Sequence, residues 1–319
     1  MLTESQLSHF DQLGYVIAEN ILTADDLDLV IEDYSAHIDR RAQELYSTGR
    51  LSNTYKNEPF ERRLALICEE NTEIYEDIDI PAFLGEGIFE FLGNEHLMDE
   101  VESIVGPEII CNPIQHTRAK LPQSFVPTDT GDNTEDKQKR TQMVKANVAP
   151  WHQDAQVHQE EADSTFILTV WIPLVDVTPE NGCLQIIPGL HRENIVLWWK
   201  GPGWGLDQED IENRHVETLP MRKGSVLLMH KLIPHCSTPN LTNGIRWSMD
   251  LRYQKKGTPT GRALYPHFVT RSRSHPESKY TDYNDWYQRW TNALKEVPLG
   301  KHPIREASIT SHVSVTLDE

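Results

Sequence analysis

Three residues of this chain have the chemistry of metal ligands. His152 and Asp154 stand in W-H-Q-D, and His235 follows 81 residues after Asp154 in L-I-P-H-C-S. Two imidazoles and one carboxylate suit a non-haem iron(II) ion, because they cover one side of it and leave positions open. Eleven residues past His235 comes Arg246, in G-I-R-W-S-M-D-L-R-Y. A guanidinium there can hold a carboxylate by a two-pronged hydrogen bond. His158 is a rival ligand, and three histidines would suit other metals.

Spacing says how these groups would meet. On a strand, side chains alternate faces, so residues 152 and 154 point the same way while Gln153 points elsewhere. His235 follows Pro234 and opens or bends a strand after S-V-L-L-M. In residues 245–253 the alternation is clean. Ile245, Trp247, Met249, Leu251 and Tyr253 share one face, and Arg246, Ser248, Asp250 and Arg252 share the other. Arg246 and Ser248 can take one carboxylate together. The competing use is an internal salt bridge between Arg246 and Asp250. Thr169 alternates with Ile167 and Trp171, so its hydroxyl can point inward. Trp171 is a candidate pocket wall.

Residues for a substrate are read more loosely. Gln156 and His158 follow Asp154 on the ligand-facing register, and Arg252 can meet an anionic group. The pocket mouth is expected from residues 117–142, 155–163 and 194–208. Trp198, Trp199 and Trp204 in the last of these can stack on a ring or cage a cation, or pack the insertion against the core.

The elements carrying these residues divide the chain. Residues 1–105 read as mostly helical support. Thr3 with Gln6 forms a capping box, and Thr23 caps a helix over 23–47. Residues 14–17 suggest a short strand, and 84–103 suggest helices broken near Gly93. From Glu108 the pattern changes to short apolar runs at 109–116, 143–146, 166–172, 184–187, 225–229 and 245–253, punctuated by Gly, Pro and Asn. That pattern predicts a barrel or double-sheet jelly roll over 106–255. Residues 127–140 read as a surface loop. Residues 256–319 form a C-terminal extension with a helix around 283–294, and the whole is expected to be one domain.

Bulk properties exclude several classes. A net charge of −19 opposes nucleic acid and anionic membrane surfaces. The first ten residues do not read as a secretory signal, and no apolar stretch reaches membrane-spanning length. Cys68, Cys111, Cys183 and Cys236 lack zinc or disulfide-framework spacing and are expected to be buried free thiols. The expectation is a cytoplasmic protein with a small-molecule substrate, a homo-oligomer being an open option.

Residues 171–191, W-I-P-L-V-D-V-T-P-E-N-G-C-L-Q-I-I-P-G-L-H, together with H-x-D, the distal histidine and the arginine after it, resemble the phytanoyl-CoA dioxygenase family of iron(II)- and 2-oxoglutarate-dependent oxygenases. The likeness covers about residues 105–255. It implies a mainly β fold with flanking helices, built on a double-stranded β-helix (jelly-roll, cupin-like) core. It implies iron(II) on His152, Asp154 and His235, with 2-oxoglutarate and O2 as co-substrates. Arg246 and Ser248 would hold the far carboxylate of 2-oxoglutarate, and Gln115, Lys120 and Thr169 would serve the same pocket. The implied reaction hydroxylates an unactivated C–H bond of a small or medium metabolite, such as a natural-product intermediate, releasing succinate and CO2. Desaturation, epoxidation or cyclisation with the same cofactors is the alternative, and a non-catalytic metabolite-binding relative is the weaker one. Asp154 argues against halogenation, since related halogenases carry glycine or alanine there and bind chloride instead.

Overall fold

The computed structural model describes residues 1–126, 135–146, 148–197, 205–301 and 311–312. Its helices begin where side chains can satisfy the first free N–H groups. Thr3 and Gln6 cap each other at the start of Glu4–Leu13, and Gly14 ends that helix at a positive φ of 76°. Thr23 and Asp26 repeat the reciprocal cap for Ala24–Ser47, which buries Leu27, Val30, Tyr34, Ile38 and Leu45 along one stripe. Gly93 separates helices Glu86–Leu92 and Glu95–Val105. Helix Tyr283–Glu296 buries Trp286 and Trp290.

Twelve short strands are described: β1 (Tyr15–Ala18), β2 (Glu108–Cys111), β3 (His116–Lys120), β4 (Ile167–Pro173), β5 (Leu184–Ile186), β6 (Ile195–Val196), β7 (Glu217–Leu219), β8 (Val226–His230), β9 (His235–Ser237), β10 (Arg246–Lys255), β11 (Phe268–Ser272) and β12 (Ser311–His312). A seven-stranded sheet runs β1-β8-β4-β10-β2-β11, with β3 also on β10. A three-stranded sheet runs β7-β5-β9, and β12 pairs with β6. The N-terminal segment and the C-terminal extension thus each give a strand to the large sheet.

The two faces of β10 do different work, as alternation predicts. Ile245 and, on β10, Trp247, Met249, Leu251 and Tyr253 join the main hydrophobic core. Trp247 stacks on Phe60 at 4.7 Å and lies 5.4 Å from Tyr34 of the long helix. The opposite face looks onto a cavity whose far wall includes Leu184, His235 and Ser237 of the small sheet.

The expected mainly β, cupin-like jelly roll is not what folds. Among the described residues helix makes up 41% and strand 19%, so the class is mixed α/β, and the strands lie in open sheets rather than a curled double-stranded β-helix. The large sheet ends at β1 and at β11. Alternating apolar runs report that a strand has one buried face; they do not report whether its sheet closes on itself.

Three local expectations also change. The run 109–116 is not one strand: Asn112 accepts from the Ile114 N–H (2.9 Å) and donates to Gln254 and Thr260, making a turn between β2 and β3. Residues 135–146 are helical, not loop followed by strand; their Glu, Lys, Gln and Arg content favours helix. Residues 152–154 are not a regular strand, since Asp154 opens a 3₁₀ turn, Asp154–Val157. All four cysteines are free and buried.

Candidate active site

The two histidines meet through their backbones. His152 and His235 form an isolated antiparallel bridge, with N–H···O distances of 3.0 and 2.9 Å. Directly opposed residues of such a pair project to the same side, and the imidazole centroids lie 4.1 Å apart. Asp154 arrives from the adjoining 3₁₀ turn, which the Ala155 N–H ties to the Lys231 carbonyl (3.0 Å). Gln153 points away, as alternation predicts, and is held by the carbonyls of Ile195 and Leu232 and by the Leu197 N–H.

The geometry fits a metal ion. His152 Nδ1 donates to the Pro150 carbonyl (2.7 Å) and His235 Nδ1 to the Ile233 carbonyl (3.0 Å), which leaves each Nε2 with its lone pair. Each Nε2 is 4.0 Å from the same oxygen, Asp154 Oδ1, and the three ligand atoms lie within 4.8 Å of one another. Burial above all pulls His152 down to about 3, so it is neutral and able to ligate at neutral pH. Burial works against ionising Asp154, but Arg252, the histidines and the Thr169 hydroxyl outweigh it and hold the carboxyl well below its usual range. This is the two-histidine, one-carboxylate triad of iron(II)/2-oxoglutarate oxygenases.

The triad opens into a cavity of about 170 Å³ whose wall also holds Thr169, Trp171, Arg246, Asp250, Arg252 and Arg118. Arg246 is buried, donates to Ser248 Oγ and lies 5.5 Å above the Trp171 ring. Its Nε has no hydrogen-bond partner among the described residues. Asp250, its rival partner, is bonded by Arg118 Nε at 3.3 Å instead. Burial draws Arg246 down to about 10, so it remains cationic.

The other candidates fall into two groups. Thr169, Trp171 and Arg252 line the cavity, but Thr169 donates to Asp154 Oδ2, and Arg252 donates to Asp154 Oδ1 at 2.6 Å. Gln115, Lys120, Gln156 and His158 are buried outside the wall described for the cavity. Gln115 donates to the Asn112 carbonyl (3.0 Å). Lys120 sits beside Arg246 in the β3–β10 register and donates to Ser237 Oγ (2.7 Å) and the Thr238 carbonyl. Gln156 pins the carbonyls of Leu197 and Gly205, and His158 Nδ1 donates to the Thr260 carbonyl (3.1 Å). Trp198 and Trp204 lie outside the described residues. The sequence reading missed His116 and Arg118 on the wall. Parity within β3, where His116, Arg118 and Lys120 share a face, would have found them once the turn at Asn112 was known.

Known proteins resemble the chain as a whole. Residues 10–248 match the family model for phytanoyl-CoA dioxygenase (PhyH). The phytanoyl-CoA dioxygenase domain-containing protein 1 of Danio rerio is 22% identical over 273 residues, covering 77% of this chain and 88% of its own. Peroxisomal phytanoyl-CoA dioxygenase of Rattus norvegicus is 22% identical over 261 residues, covering 79% and 68%. The solved structure of the apo form of the non-haem monooxygenase ThoJ shares the fold, with a TM-score of 0.53, 16% identity and coverage of 91% and 97%. The cytoplasmic expectation is overturned by such relatives, the rat and human enzymes being peroxisomal. A lack of signal-like or membrane-like segments never distinguished the two compartments. No described helix is long and apolar enough to cross a membrane. The molecule is an iron(II)/2-oxoglutarate-dependent oxidative enzyme acting on a small molecule, and the chain belongs to the phytanoyl-CoA dioxygenase family.

Proposed function

We propose that the enzyme hydroxylates an unactivated C–H bond of a small or medium metabolite, with natural-product intermediates the favoured class. The observation that carries this is Asp154 itself. A carboxylate stands at the third ligand position, where a halide would otherwise bind, and it is ionised and held by two donors. That supports oxygen insertion over halogenation. The relatives named as dioxygenases support the same choice.

In this reading His152, Asp154 and His235 hold iron(II). Arg246, with Ser248 steering its guanidinium, takes the far carboxylate of 2-oxoglutarate; unlike Arg252, it has no carboxylate bonded to it among the described residues. When bound, iron(II) and 2-oxoglutarate supply the oxidising chemistry: O2 is consumed, the keto acid leaves as succinate and CO2, and one oxygen atom passes to the substrate. The protein orients the substrate carbon between Trp171, Val157 and Ile114 on the cavity wall and keeps bulk water away. Residues 1–105 support the site, 106–255 build most of it, and 256–319 complete a single oxygenase unit.

Turnover of a panel of candidate metabolites under ¹⁸O2 tests the reading. We expect succinate release coupled to a product carrying one labelled oxygen. A product that has lost two hydrogens and gained no label would replace hydroxylation with desaturation or cyclisation.

A further inference from the structure

The carboxylate of Asp154 is gripped at both oxygens, and the grip is built into the register of the large sheet. Thr169 of β4 and Arg252 of β10 are direct cross-strand partners. Side chains of such a pair stand next to each other on one face. Here both turn to one group: Thr169 Oγ1 donates to Oδ2, and Arg252 Nη2 donates to Oδ1 at 2.6 Å. A second bond, from Arg252 Nη1 to the Ile114 carbonyl (3.2 Å), fixes the guanidinium plane. All three side chains are buried.

The two oxygens are therefore not equivalent. Oδ1 faces both imidazole Nε2 atoms, at 4.0 Å each. Oδ2 is turned to the hydroxyl of Thr169. We infer that the Thr169–Arg252 pair acts as a clamp that presents Asp154 to the metal through one oxygen only. A carboxylate left free can swing to bind by both oxygens and take an extra coordination position. An iron that must also accept a two-point keto acid and O2 has none to spare. The clamp makes Thr169 and Arg252 positioning residues, acting through Asp154 rather than on either substrate.

A purely structural role for Thr169 accounts for less. Its backbone is already engaged in the ladders to β8 and β10, opposite Met229 and Arg252. A valine of the same shape would keep those ladders and the packing, and lose only the donor to Oδ2.

The inference rests on the metal-site reading, and the test separates the two. Mn²⁺ alone is titrated into the wild-type chain, Thr169→Val and Thr169→Ser, with thermal melting as the check on folding. Hydrogen-bond partners of metal ligands affect affinity about 10–100-fold. We expect Thr169→Val to fold like the wild type and bind Mn²⁺ about 10-fold more weakly, and Thr169→Ser to restore affinity. We also expect the visible charge-transfer band of the anaerobic iron(II)–2-oxoglutarate complex to shift in Thr169→Val and return in Thr169→Ser. Arg252→Lys keeps the charge but cannot reach both Asp154 and the Ile114 carbonyl, and should weaken Mn²⁺ binding as well. Wild-type affinity and an unshifted band in a folded Thr169→Val would overturn the clamp. A wild-type chain that binds no Mn²⁺ would overturn the metal site itself.

Discussion

Two arginines on one strand, six residues apart and facing the same cavity, have opposite circumstances. Arg252 is spent inside the protein: it meets Asp154 at 2.6 Å and the Ile114 carbonyl at 3.2 Å. Both leave Nε without a hydrogen-bond partner among the described residues, but Arg246 meets no carboxylate there; it has a serine hydroxyl and the face of Trp171. Residue type and strand parity are the same for both. What differs is the opposing strand, which places Thr169 beside Arg252 and Lys120 beside Arg246. A buried cation without a counter-charge loses several kcal/mol of solvation. On the proposed reading, the chain tolerates that at Arg246 because 2-oxoglutarate brings a carboxylate to it, Asp250 being bonded by Arg118 instead. One end of the cavity is thus finished by the fold; the proposed function has the co-substrate finish the other.

Exchanging the arginines should expose that difference. Arg252→Met leaves the Asp154 carboxylate buried beside two histidines, and should destabilise the metal-free protein by about 3–5 kcal/mol in denaturant unfolding. A loss below about 1 kcal/mol would mean that the clamp is not under load. Arg246→Ala should raise the 2-oxoglutarate requirement about 100-fold while leaving Mn²⁺ affinity nearly intact. Unchanged 2-oxoglutarate use would remove Arg246 from its role.

Lys120 gives a pH test of the same end. Burial, and then the Arg246 charge, pulls its amine from 10.5 down to about 6. Between those values the unfolded chain binds a proton that the folded chain does not. Stability contributed through this group therefore rises with pH across that window and is lowest below about 6, with a slope of at most about 1.4 kcal/mol per pH unit. Lys120→Met should flatten the stability profile between pH 6 and 9; an equally steep profile would place the slope elsewhere. The smallest expected effect is Arg246→Met without ligand, a gain of about 1 kcal/mol in stability, because an unpaired buried charge is replaced by an apolar chain. A loss there would show that Arg246 already has an internal counter-charge.

The sequence carried these residues unevenly. The ligand atoms and the polar face of residues 246–252 were legible, because ligand chemistry and strand alternation are local properties. The caps at Thr3 and Thr23 were legible for the same reason. The job of Thr169 was not: alternation pointed its hydroxyl inward, but only the register between β4 and β10, strands about 80 residues apart, set it against Asp154 beside Arg252. The setting of Gln115 was not legible either, because the Asn112 turn resets parity between β2 and β3. The open sheets were illegible because strand patterning is the same in open and closed arrangements.

Iron(II) at the triad, with 2-oxoglutarate reaching from it towards Arg246, is the arrangement on which every proposed role rests. Anaerobic visible absorption with iron(II) and 2-oxoglutarate tests this directly and needs no knowledge of the substrate. The wild type should develop an iron-to-keto-acid charge-transfer band that requires both additions, and His152→Ala should develop none. A wild type without the band, or a His152→Ala variant that keeps it, would contradict the account.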